Sequence, residues 1–462
     1  MPKSIRLNNW KYLSPNPSIT SGEGTISRPF DASTTGRFDT LMSGFKENDN
    51  IFLLAGTYKT RGFKSDGRIG NWSVKSGWKI QGEGEGKTVI QIDWANNLGV
   101  SDKHKSFSIF ETPSGSDASD SEFKNLTLDL NFSQVTLGQE VTSIGMCLNG
   151  FNIKTERVEV INIGNYGNLS GFGICLNSAL NYSNPSMVWT GEGNSIIDCT
   201  VKTVYYPLTG KGGLVCLSNG GNTTIGGMKS WALNPVIKDS YVNTSSGYFI
   251  MNGRSDVIGL SMPMCINGLV EYNITRNCKI SGPYSSIFPT NSIEIRNNIF
   301  INQLRGIFYK LGAEKLGYGN TSGNFIHIHN NVFHMGYKTS IYDPIAIEIK
   351  QSLTNLPTYP PITHLTFEKA IIENNVFLWE SGYNTFSQTL NSGQLILEHI
   401  SGLTIENNYM DMPGTWGIAY ACLLTGCRNH FVRYNNMNFR IADSGGSVLI
   451  QLTGNLKYVL NP

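Results

Sequence analysis

Four ionisable residues in three short segments are spaced to act together. Lys310, Glu348, Lys350 and Glu398 lie in GIFYK, IAIEIK and QLILE. In each segment they alternate with apolar residues: Ile307 and Tyr309, Ile347 and Ile349, Leu395 and Leu397. A period of two is that of a β-strand, and strands stacked about 4.8 Å apart would bring all four to one face. Two neighbouring carboxylates push each other's pKa apart, so Glu348 and Glu398 could supply the acid and the base for cleaving a glycosidic bond. Alternatively, Lys310 or Lys350 could remove a proton α to a carboxylate while another cation stabilises the enolate. Asn252, Arg254, Phe288, Arg305, Phe308 and His399 border the same face: arginines to hold a carboxylate, rings to stack on sugar. The same alternation also describes an ordinary sheet face decorated with ion pairs. A slip of one residue would exchange the two faces. His327 and His329 share a strand face near His334, which makes a metal pair conceivable. Exposed decoration is the plainer reading, and no metal ligand is assigned.

The elements that must position these residues come from a repeat. IRNNIF at 295–300, IHNNVF at 328–333, IENNVF at 372–377, IENNYM at 405–410 and RYNNMN at 433–438 share an apolar residue, a polar residue and paired asparagines. Weaker copies are Ile197-Asp198-Cys199, Lys238-Asp239-Ser240 and Arg276-Asn277-Cys278. Asn tolerates a left-handed backbone better than other non-glycine residues, so each copy reads as a corner between two short strands. In a stack its amide can bond the corners above and below. Copies recur every 20 to 45 residues or so, the interval of solenoids. Asp198, Asp239 and Asp129 read as structural turn residues of the same kind.

Composition agrees with a β protein rich in turns. The chain has 462 residues, 40% hydrophobic but only 15% charged, with 50 glycines. Charged residues usually make up about 25%. The net charge is +2 with no basic block, which argues against nucleic acid. No apolar run of about 20 residues predicts a membrane span. The start, MPKSIRL, lacks the apolar core of a signal peptide. The expected location is nonetheless extracellular or virion-associated, through a removed signal or release with phage particles. The eight cysteines form no CxxC pair and read as buried free thiols.

IFLLAGTYKT, GWKIQGEGEGKTVI and the corners IRNNIF and IENNVF resemble the pectate-lyase-like superfamily. The resemblance implies an all-β fold: a single right-handed parallel β-helix, three strands per rung, with a short N-terminal helix over residues 38–45. It implies a cap over 1–50 and the helix proper over 51–462. It also implies a polysaccharide partner, acidic in character, cleaved by β-elimination or hydrolysis, or else bound without turnover as on a tailspike. Calcium stays open as a cofactor, and the oligomeric state stays open between monomer and trimer. The sharper signatures of individual activities are absent. There is no Asn-Thr-Asp with Gly-His-Gly, no Arg-x-Pro with an Asp cluster, and Asp343-Pro344 lacks a following His-Glu. In this fold the asparagine corner lies between the second and third strands of a rung, and the next strand along the chain, the first of the following rung, lines the groove. That strand is expected at 144–149, 172–177, 213–218, 247–252, 285–290, 305–310, 345–350, 393–398, 416–421 and 446–451. Pairs such as Met146/Leu148, Val215/Leu217 and Ile347/Ile349 should point inward, with Phe308, Glu348 and Ile396 open to the groove.

Overall fold

The computed structural model describes residues 9–17, 21–64, 72–96, 105–113, 116–135, 141–165, 171–177, 193–205, 213–224, 228–230, 232–244, 257–263, 265–285, 292–301, 305–312, 325–335, 345–352, 369–379, 393–398, 400–411, 420–425, 427, 430–433, 435–437, 440–444 and 448–451. The chain divides into two compact units, Met1–Ala179 with Gly193–Leu214, and Leu180–Glu192 with Val215–Pro462. Each is a right-handed parallel β-helix with three strands to a rung. Among the described residues no helix is long and apolar enough to cross a membrane.

The second unit shows the repeat most plainly. Val236–Lys238, Gly268–Glu271, Ser292–Arg296, Phe325–His329, Lys369–Glu373, Leu403–Glu406, His430–Arg433 and Val448–Gln451 pair in parallel, each with the next. Beside them run Tyr241–Asn243, Ile274–Arg276, Ile299–Ile301, Val332–Met335, Val376–Trp379, Tyr409–Asp411 and Asn436–Met437. The third sheet holds residues 215–220, then Val257–Ser261, Ile280–Ser285, Arg305–Gly312, Ile345–Ser352, Gly393–Glu398, Tyr420–Thr425 and Arg440–Ser444. Like side chains therefore stack. Ile295, Ile328, Ile372 and Ile405 are fully buried in consecutive rungs, and Phe300, Phe333 and Phe377 stack with centroids 5.0 and 4.9 Å apart. Each such side chain contributes about 1.5–3 kcal/mol by leaving water.

The paired asparagines divide two tasks between them. The first of each pair is left-handed: Asn297, Asn330, Asn374 and Asn407 have φ of 56, 56, 55 and 54°. The second is buried: Asn298, Asn331, Asn375 and Asn408 are at most 1% exposed. The main-chain N and Nδ2 of Asn331 both donate to Asn375 Oδ1 at 3.0 Å, and Nδ2 also reaches Ile295 O at 2.9 Å. The same pattern links Asn273 to Asn298, Asn298 to Asn331, Asn375 to Asn408 and Asn408 to Asn435. Asp239 takes the left-handed position with buried Ser240 behind it.

Three corners differ from the sequence reading. At RYNN the ladder residue is Asn435, while Asn436 already pairs in the next strand, so that copy is displaced by one. Asn277-Cys278 lies at the following corner, after Ile274–Arg276, and its amide bonds Asn243 instead. The missing member of the column is Tyr272-Asn273, where a tyrosine holds φ of 55°.

In the first unit Asn125, Arg157 and Asp198 are the left-handed corner residues, with φ of 54, 51 and 51°. The position behind is apolar there: Leu126, Val158 and Cys199 are fully buried. Asp129 is not left-handed. It accepts hydrogen bonds from the Asn131 main chain and from the side chains of Gln91 and Asn162. The helix Thr35–Gly44 begins three residues before the expected 38, because Thr34 caps it by accepting from the Arg37 main chain. Its Phe38 packs on Tyr58 at 5.3 Å. Trp10–Ser14, ahead of the helix, pairs in parallel with Asn50–Leu53.

The division of labour sets a test. Asn330→Gly should leave stability within about 0.5 kcal/mol, since glycine adopts φ > 0 without steric cost, whereas Asn330→Val should lose about 1–2 kcal/mol. Asn331→Ala should lose more, about 1–3 kcal/mol for each buried partner left unpaired. Urea unfolding of the three variants checks the order; equal losses at 330 and 331 would contradict it.

Candidate functional site

The third sheet of the second unit carries the expected site. Register places Phe308 beside Glu348 and Lys310 beside Lys350, then Glu348 beside Ile396. The same offset carried two residues further sets Lys350 opposite Glu398, whose own partner is Thr425. The alternation holds on these strands: Ile307, Ile347, Ile349, Leu395 and Leu397 are fully buried in the core.

The opposite face is not an open groove at this level. Phe308 is 8% exposed, Glu348 1% and Ile396 2%. Ile258, Ile280 and Phe308 form an apolar group there, with Val215 packed against it. Val215 therefore lies with the outer group while Cys216 is fully buried, the reverse of the inward assignment for Val215. In place of the expected 285–290 the sheet holds Ile280–Ser285, and in place of 416–421 it holds Tyr420–Thr425, while 416–419 lie outside the described residues. Val448–Gln451 pairs with His430–Arg433 in the first sheet, so 446–451 is not part of this one. Its place is taken by Arg440–Ser444, which pairs with Tyr420–Thr425. Asn252, Arg254, Phe288, His399 and the strand at 247–252 lie outside the described residues.

One interaction organises the patch. Arg305 Nη1 lies 3.0 Å from Glu348 Oε2, and the guanidinium sits 4.9 Å over the Phe308 ring. The carboxylate is buried while the Arg305 side chain keeps 26% of its surface exposed. The ion pair with a buried carboxylate and the ring beneath hold the cation in place, while its outer N–H donors face an incoming anion. Arg305 opens its strand, where a long side chain can reach the outer face although Ile307 and Tyr309 behind it point inward. Glu398 is partly exposed and stands one column away from Glu348, so the two carboxylates are diagonal rather than directly stacked.

A second group, in the first unit, escaped the sequence reading. Lys105–Glu111, Val141–Asn149 and Gly171–Asn177 place Glu111, Cys147 and Cys175 in one registered row. Burial pushes the Glu111 carboxyl up to about 7, against a hydrogen bond from Ser108. The Cys147 thiol is pushed far above its ordinary range by its hydrogen bond with Cys175 and by burial. All eight cysteines are free and seven are buried. The signal was present in KSFSIFE, a strand whose last residue is a carboxylate among apolar neighbours.

No family model matches the chain, and no curated protein sequence does. Similar solved structures include the A-module of the Azotobacter vinelandii mannuronan C-5 epimerase AlgE4, at 14% identity and TM-score 0.46, covering 89% of this chain and 91% of that one. A tailspike protein of E. coli bacteriophage HK620, in complex with a pentasaccharide, is 12% identical at TM-score 0.48, with 96% and 72% covered. A Yersinia enterocolitica family 28 exopolygalacturonase is 12% identical at TM-score 0.43, with 97% and 77% covered. These likenesses concern the fold, which the strand pairings establish by themselves.

Glu111 gives a pH test. Its carboxyl takes up protons more readily folded than unfolded, so stability should fall as pH rises from about 4.5 through about 7. Glu111→Gln should remove that slope and gain up to about 3 kcal/mol at pH 8. Urea unfolding at pH 5 and pH 8 measures it; an unchanged slope in the variant would contradict the assignment.

Proposed function

We propose that the chain is a carbohydrate-active β-helix protein that binds an acidic polysaccharide at the Arg305 patch and cleaves it by β-elimination. The reading extends to where such polymers lie, outside the producing cell or on a virion. The observation that carries it is the Arg305 guanidinium, held from below by buried Glu348 and lying on Phe308. A uronate carboxylate would accept from the outer N–H groups of Arg305, drawing charge from the adjacent carbon. Lys310 or Lys350 would take the proton from that carbon. The carbon–hydrogen bond then breaks, a double bond forms between that carbon and the one bearing the glycosidic oxygen, and that oxygen leaves with a proton from solvent water. Glu348 has the role of a positioning residue, since its oxygen is engaged by Arg305. Hydrolysis by Glu348 and Glu398 is less favoured, because Glu348 is almost fully buried and the two carboxylates occupy different columns.

Incubation with a panel of acidic and neutral polysaccharides, with and without a calcium chelator, tests the proposal. Unsaturated product should appear by ultraviolet absorbance with an acidic polymer alone. Arg305→Ala should lose on the order of 10²–10³-fold in kcat/KM, and Arg305→Lys should recover only part, because the bidentate fork is gone. Reducing ends without absorbance would mean hydrolysis; retained binding without either product would mean a glycan-binding role. Full activity in Arg305→Ala would remove this site.

A further inference from the structure

On the first sheet of the second unit, three consecutive rungs bring two imidazoles and two carboxylates together. Phe325–His329 sits between Ser292–Arg296 and Lys369–Glu373, with Glu294 opposite His327 and His329 opposite Glu373. Ile326 and Ile328 point into the core, so His327 and His329 both face outward. Their rings stack with centroids 4.0 Å apart and planes 24° apart. Each ring nitrogen finds a carboxylate across a diagonal: His329 Nε2 lies 2.9 Å from Glu294 Oε1, and His327 Nε2 lies 2.8 Å from Glu373 Oε1. One ligand atom from each of Glu294, His327 and His329 falls within 4.8 Å of the others.

We propose that Glu294, His327 and His329 form a binding site for one borderline transition-metal dication of the zinc class, with Glu373 as the partner that orients His327. The donor set selects the metal. Imidazole with carboxylate suits zinc, copper and nickel, whereas calcium and magnesium favour oxygen ligands alone. Ligand atoms around a tetrahedral ion with bonds of about 2.1 Å stand about 3.4 Å apart, so the side chains must close by an ångström or so. A carboxylate bound to the far nitrogen of a ligating histidine is the usual outer support of such sites.

The surrounding charges set the competition. Arg296 Nη1 lies 2.8 Å from Glu294 Oε1, while its Nε is held at 2.7 Å by Glu271. Glu271 can keep Arg296 while Glu294 turns to the ion. Asn330 Nδ2 donates to His329 Nδ1 at 3.1 Å; ligation through Nε2 moves the proton to Nδ1, where the Asn330 amide accepts it by turning its oxygen inward. Because the ligands come from two neighbouring rungs and Glu373 supports them from a third, an ion here would tie neighbouring coils together, and occupancy should raise the melting temperature of the folded chain.

Calorimetric titration of the full chain with zinc chloride at pH 7.5 tests the site. One ion per chain should bind saturably, calcium and magnesium should not displace it, and the melting temperature should rise with zinc. His327→Ala and His329→Ala should each weaken binding at least 10-fold, and Glu373→Gln about 10- to 100-fold. The double variant His327→Ala/His329→Ala is checked for an unchanged metal-free melting temperature; if it fails to fold, Glu294→Gln replaces it. Copper(II) on the wild type should show two equivalent-type nitrogen couplings by electron paramagnetic resonance and no thiolate charge-transfer band, which separates this site from the cysteines. No saturable binding, undiminished binding in the variants, or sulfur coordination would overturn the proposal.

Discussion

A corner two residues long sets the geometry of the second unit. Its first residue must turn left-handed to redirect the chain, and its second must bury a polar backbone where the sheets meet. Main-chain N–H groups at this corner have no strand partner, and leaving one unpaired in the interior costs about 1–3 kcal/mol. The Asn273–Asn298–Asn331–Asn375–Asn408–Asn435 ladder supplies an acceptor to each of them from the rung beyond. The first unit solves the same turn differently, burying Leu126, Val158 and Cys199 behind its left-handed residues. What the two share is the backbone turn, not the side chain behind it.

Once corners are fixed, register brings distant residues together. Arg305 and Glu348 are 43 positions apart and meet at 3.0 Å because their strands are neighbours in one sheet. The imidazoles of 327 and 329 meet carboxylates from the rungs on either side in the same way. A buried carboxylate needs a partner to offset its lost hydration, and Arg305 provides it while keeping part of its own surface in water. The patch is therefore a fixed cation on a covered sheet face rather than a row of exposed acids and bases.

The corners were legible because two asparagines in a row are a rare and repeated signal, and the inward alternation of Ile347/Ile349 and Leu395/Leu397 was legible because a core admits only apolar side chains there. Other features were not. Tyr272 holds a left-handed turn that its residue type does not advertise, so that corner went unseen and Asn277-Cys278 stood in for it. The displacement at Asn435 follows from an Asn that happens to open the next strand. Burial of Phe308 and Glu348 was hidden because alternation tells which way a side chain points, not whether that face meets water. Glu111 was missed because its neighbours are ordinary and only the stack makes it a half-buried carboxylate.

Amide hydrogen exchange, followed residue by residue, addresses the central claim most directly. The main-chain N–H groups of Asn298, Asn331, Asn375 and Asn408 donate to side-chain oxygens of the next rung, and the account expects them to exchange only when the unit unfolds as a whole. Exchange at those four amides as fast as at a surface turn, with the adjacent strands still protected, would show that the ladder does not hold the stack together.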